Sequence, residues 1–220
     1  SCADKGDADW SELEQVVFQP FKHAIGTTIS ATAVGIDSSD GGTNDAVYHW
    51  VRRMSKKHPD VLVMAVKGSS STQDVEIFST PKRKGLDHVN PKKQSKADKR
   101  GLKLYMVGTG KAKDWLAARM KREGVGPETH HVYRDVRDDY FEQMTGEVKA
   151  PHKSSKGRKV WQKKSGRAVE AWDCEVYALH GARAKRVHLK RPQDWDAIEQ
   201  KILQSDLFAE SLEANASSPS

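Results

Sequence analysis

Two aspartates stand where a carboxylate is expensive. Asp37 closes an apolar, strand-like run and opens a glycine turn, in Ala33-Val34-Gly35-Ile36-Asp37-Ser38-Ser39-Asp40-Gly41-Gly42. Asp173 interrupts an apolar helical face, in Val169-Glu170-Ala171-Trp172-Asp173-Cys174-Glu175-Val176-Tyr177. Positions 169, 172, 173, 176, 177 and 180 recur at three- and four-residue spacing, so Asp173 is expected among core side chains. A carboxylate so placed is costly unless paired or metal-bound. Two acids brought together by a fold are the minimum of a divalent-metal phosphodiester site, with Mg2+ or Mn2+ supplying the missing charge. Asp40, in the glycine turn, is an additional outer-ligand candidate, with a plain turn role as the alternative.

The surrounding charge points the same way. Thirty-seven Lys and Arg against thirty Asp and Glu leave a net charge of +7 and a pI near 9.3, which favours an anionic partner such as nucleic acid. Two basic stretches stand out. The first, 82–103, carries nine Lys/Arg in twenty-two residues and reads as an exposed loop. The second, 149–167, carries eight basic residues and no acid, and reads as a hairpin or ordered loop. Its position just before the Asp173 helix makes Lys153, Lys156, Arg158, Lys159, Lys163 and Lys164 the DNA-backbone candidates. Gly108-Thr109-Gly110-Lys111 follows a strand and opens a helix but lacks the phosphate-loop spacing, with Ala112 where Ser or Thr would meet magnesium. Lys111 at that helix start remains a phosphate-contact candidate.

Other chemistries find no support. Cys2 and Cys174 form neither a disulfide framework nor a zinc spacing, His130-His131 lacks a further ligand at useful spacing, and no nucleophile elbow occurs. No run approaches a membrane span.

The elements that must position the acids alternate in type. A helix from about Asp9 carries Trp10, Leu13, Val16 and Val17 and ends before Pro20. Thr27 to Ile36 reads as a strand ending at Asp37. Ala46, Val47, Trp50, Val51 and Met54 mark a second helix, and 61–66 a central strand covered on both faces. Strands are expected at 102–107 and 130–133. Helices are expected through Trp115, Leu116 and Met120, through Tyr140, Phe141 and Met144, from 168 to 185, and from Pro192 onward. Residues 1–7 read as a loop, 8–204 as the domain and 205–220 as a mobile tail. Alternation of this kind predicts an α/β fold with ligands beyond the carboxyl ends of the strands, where Asp37 falls.

Seven segments in order carry a family resemblance over roughly residues 8 to 182. They are Ile36-Asp37-Ser38 with Gly41-Gly42 and Ala46-Val47-Tyr48; Ala65-Val66-Lys67-Gly68; Val107-Gly108-Thr109 with Lys113; Asp139-Tyr140-Phe141-Glu142-Gln143-Met144; Thr145-Gly146-Glu147; Trp161-Gln162-Lys163-Lys164; and Glu170 through Ala178. Together they resemble the nuclease domain of lambda-type GpA phage terminase large subunits. The resemblance implies a ribonuclease H-like fold, a central mixed sheet flanked by helices, here lacking the first strands and their aspartate. It implies a two-metal endonuclease cutting concatemeric viral DNA in the host cytoplasm, with Asp37 and Asp173 as two acids of the site. Partners implied are double-stranded viral DNA, the small subunit, the portal and an upstream ATPase part. Competing readings are a catalytically incomplete DNA-binding fragment and a structural domain docking a portal or capsid.

Overall fold

The computed structural model describes residues 7–23, 26–40, 42–69, 75–81, 102–126, 128–133, 135–152 and 156–216. Most of the 82–103 basic loop and Lys153 lie outside them. Three parallel strands form the centre: β3 (Ala33–Asp37), β4 (Leu62–Gly68) and β5 (Leu104–Val107), in that spatial order. Antiparallel pairing is confined to two separate ribbons, β1 (Phe21–Lys22) with β2 (Thr28–Ile29), and β6 (Glu147–Pro151) with β7 (Lys159–Lys163). The expected mixed sheet is therefore parallel among the described residues, and the expected strand over 27–36 is broken in two.

β4 explains the layering. Successive side chains of a strand point to opposite faces. Val63 and Ala65 enter one core with Trp10, Val34, Trp50, Val51 and Met54. That layer belongs to α1 (Asp7–Phe18) and α2 (Asn44–Lys57). Met64 and Val66 enter a second core with Val107, Ala112, Leu116, Trp172 and Val176, under α3 (Thr109–Met120) and α5 (Glu170–Ala184). A strand covered on both faces reads as one apolar run, as 61–66 does.

The short helix α4 (Tyr140–Met144) braces the start of α5. Buried Gln143 accepts the Ala171 backbone N–H at 2.8 Å, taking one of the donors that a helix start leaves open, and Tyr140 donates to Glu175 Oε1 at 2.7 Å. The last helix, α6, runs Pro192–Ala216, so helix continues past Ser205, where polar composition had suggested a tail. Residues 130–133 form no strand; the His131 ring instead meets Gly126 O and Thr129 Oγ1 locally. Among the described residues no helix is long and apolar enough to cross a membrane.

Candidate active site

Parallel pairing puts the carboxyl ends of β3, β4 and β5 on one rim. Asp37 pairs in register with Val66, and Gly68 with Val107. Just past Asp37 the chain is pinned by buried Ser38, whose N–H and Oγ both donate to Val66 O, at 2.8 and 2.9 Å. Asp37 Oδ1 accepts the Ser39 N–H at 2.9 Å. At the third strand, Gly108 tolerates no side chain, since a Cβ there would lie 2.1 Å from Val75 O. Its N–H donates to Glu76 O at 3.0 Å, and Thr109 Oγ1 donates to Ser69 O. These ties turn β5 directly into α3.

Helix α5 lies along β3 and runs against it. A Cβ added at Gly181 would meet Ala33, whereas Tyr177 packs by Gly35 and its hydroxyl reaches Asp37. The first turn of α5, with Asp173, thus arrives at the rim that carries Asp37. Tyr177 feels the charge of both acids. Burial, then the charges of Asp37 and Asp173, then its hydrogen bond to Asp37, raise its hydroxyl well above the usual phenol value. The same hydroxyl lies over Gly68, 3.7 Å from where a Cβ would stand.

The sequence expectation for Asp173 needs correction. Its neighbours Val169, Trp172, Val176 and His180 are buried, but its own side chain is 45% exposed. The reason is position: Asp173 lies at the flank of the apolar face, between buried Trp172 and Val176 and exposed Glu170 and Cys174. Its partner is Lys113 on α3, whose Nζ lies 3.0 Å from Asp173 Oδ1. Lys113 also donates to both oxygens of Glu147 at 2.8 Å, and the Lys113 and Glu147 side chains are each only 10% exposed. Sequence reasoning assigned no site role to Lys113, Glu147 or Tyr177. One signal was available, because Lys113 falls on the same α3 stripe as Ala112 and Leu116.

The remaining candidates separate. Asp40 accepts the Gly42 N–H at 3.0 Å and the Thr43 hydroxyl at 3.1 Å, the geometry of a turn residue. Lys111 pairs with Glu76. The hairpin β6–β7 docks one face on α3: Glu147 on Lys113, and Lys149 and the Trp161 indole N–H on Asp114. Lys164 donates to Thr145 O and Arg167 pairs with Glu142. Lys156, Arg158, Lys159 and Lys163 stay exposed, with no acidic partner among the described residues. Burial, then the charges of Asp173, Glu175 and Glu170, raise the Cys174 thiol above its ordinary value.

Whether these residues suit a hard divalent cation is a question of donor chemistry. Asp37 and Asp173 offer carboxylate oxygens at one rim, the donor type magnesium and manganese prefer. They amount to two ligands; among the described residues no group of three His, Cys, Asp or Glu gathers to hold a metal ion.

Residues 2–195 match the family of terminase large subunit gpA endonuclease domains. This chain belongs to that family. It is similar to the terminase large subunit of Enterobacteria phage P21, 31% identical over 192 residues, covering 82% of this chain and 26% of that protein. The terminase domain seen here thus spans about a quarter of the length of that curated relative. No solved structure matches it.

Proposed function

We propose that this terminase domain is the nuclease part of a viral DNA-packaging enzyme, built on a ribonuclease H-like scheme and cutting concatemeric DNA by two-metal phosphodiester hydrolysis. The observation that carries the reading is the run of α5 against β3, with Gly181 by Ala33 and Tyr177 by Gly35, which brings the Asp173 turn to the carboxyl rim where Asp37 ends the strand. Asp37 and Asp173 would hold Mg2+ or Mn2+. When bound, the ions supply the positive charge that activates water and stabilises the leaving oxygen. Tyr177 orients Asp37 through its hydroxyl, and Lys113, clamped by Glu147, fixes one oxygen of Asp173. Lys156, Arg158, Lys159 and Lys163 meet the duplex backbone. The partners that fit are viral DNA, the small subunit, the portal and the ATPase part, in the host cytoplasm.

A second reading has its own observation. Two acids and a turn-bound Asp40 fall short of the oxygen ligands that two ions require, which suits a DNA-binding part whose acid cluster is completed by further residues. Plasmid nicking against manganese concentration separates the two. The chain alone should nick weakly or not at all, and nicking should rise sharply when a segment supplying a further strand-borne aspartate is added. Asp37→Asn and Asp173→Asn should each abolish the restored activity, whereas Asp40→Asn should cost much less. Robust cutting by both the Asp37 and Asp173 variants would leave only the binding role.

A further inference from the structure

The far end of the α3–α5 pair carries a second cluster, unlike the acid rim in every respect. α3 and α5 lie side by side, joined near their starts by Lys113 and Asp173. At about 1.5 Å rise per residue, Arg183 lies about 15 Å along α5 from Asp173, and Arg119 about 9 Å along α3 from Lys113. There the Arg119 guanidinium stacks on Trp115 at 3.3 Å from the ring centroid, and Arg183 from α5 approaches the same ring at 5.6 Å. Two cations on one indole are held together by packing against their mutual repulsion.

Among the described residues no acid neutralises them. Arg119 donates one nitrogen to Trp115 O at 3.4 Å, but its Nε is buried and has no hydrogen-bond partner. Arg183 and Arg186 have no acidic partner among the described residues, and Arg122 alone pairs, with exposed Glu128. Burial, then the Arg122 and Arg183 charges, hold Arg119 below the usual guanidinium range. His188, also lowered, feels Arg183 and Arg186. Helix C-termini favour cations only weakly, and they leave the guanidinium forks open.

We propose that Arg119 and Arg183, braced by Trp115 and extended by Arg186, form a phosphate seat that grips the backbone of duplex DNA remote from the acid rim. The inference rests on the DNA-binding part of the proposed function. Guanidinium forks match phosphate oxygens bidentately and lose little hydration in doing so. Placement favours a duplex over a short acidic peptide. The basic hairpin docks on the same helix, on Asp114 beside Trp115, so a duplex lying along α3 and α5 would meet cations of both hairpin and seat. At about 3.4 Å per base pair, the 15 Å along α5 from Asp173 to Arg183 is roughly four to five base pairs.

The test is duplex binding by the whole chain, followed by fluorescence anisotropy of a labelled 25-base-pair DNA over a range of salt concentrations. Each lost phosphate contact lowers the slope of log affinity against log salt by ~0.9. Arg119→Gln/Arg183→Gln should lower it by about two. Because Arg119 also packs on Trp115, Arg186→Gln serves as the variant that removes exposed charge alone, and it should lower the slope by about one. A variant neutralising Lys156, Arg158, Lys159 and Lys163 should lower it independently. Should that hairpin variant weaken binding while the arginine variants leave the slope unchanged, the seat is wrong and the DNA reading stands. Absence of salt-dependent duplex binding by the wild-type chain overturns both. Tighter binding of a poly-glutamate peptide than of DNA, lost in Arg119→Gln/Arg183→Gln, would give the seat to an acidic protein and overturn the proposal.

Discussion

The ammonium of Lys113 lies 3.0 Å from Asp173 Oδ1, while Glu147 holds it from the other side with both carboxylate oxygens at 2.8 Å. Three elements that are distant in sequence meet in this one charge: α3, the first strand of the hairpin and the first turn of α5. Removing one partner of a buried pair is worse than never building it, because a buried charge is left alone. Lys113→Met should therefore destabilise the fold by about 3–5 kcal/mol in urea unfolding. Lys113→Met/Glu147→Gln should recover a large part of that loss. A single-variant cost below about 1 kcal/mol would mean that the pair is well solvated after all.

Gly108 and Gly110 make a paired prediction about the β5–α3 junction. A Cβ at Gly108 would collide with two carbonyl oxygens of the 75–76 segment, at 2.1 and 2.5 Å, whereas one at Gly110 meets nothing within 4 Å. Gly108→Ala should cost on the order of 3 kcal/mol, since rigid backbone has to move. Gly110→Ala, in the first turn of α3, should be neutral or stabilising by up to about 1 kcal/mol. Thermal melts of the two variants check this, and equal effects would contradict the close approach.

His180 sets the acid side of stability. Its side chain is fully buried against Phe78 and Tyr105, Nδ1 meets Ile77 O at 2.8 Å, and Nε2 has no partner. Burial lowers its pKa from the ordinary 6.5, opposed by the Ile77 bond. Below 6.5 the unfolded chain then binds the proton more readily than the folded one, so stability falls as pH falls from 6.5 towards the folded value. Melting temperature should drop between pH 7.5 and 5.5, and His180→Asn, which keeps a donor for Ile77 O, should show a shallower drop. An identical pH dependence in the variant would remove His180 as the cause.

Much of this fold was readable where burial and period coincide. The run at 61–66 is continuous because β4 is covered on both faces, and Val47, Trp50, Val51 and Met54 kept helical spacing because one side of α2 meets the sheet. Residues 130–133 carry strand-forming types, but no strand pairs with them and local bonds to Gly126 O take over. Asp37 was legible as a strand-end acid because its carboxylate ends an apolar run. The Lys113–Glu147 pair was not, since its partners stand 34 residues apart in sequence and meet only through the docking of the hairpin on α3. The exposure of Asp173 escaped for a similar reason: spacing marks the face of a helix but not where the flank of that face meets solvent.

The central claim is that Asp37 and Asp173 hold a metal together, and manganese binding to the intact chain tests it without asking for turnover. Isothermal titration of Mn2+ should show binding by the wild-type protein that weakens at least about tenfold in Asp37→Asn and, separately, in Asp173→Asn, with both variants melting normally. Asp40→Asn should bind almost as the wild type does. Manganese affinity unchanged in both the Asp37 and Asp173 variants would contradict the account.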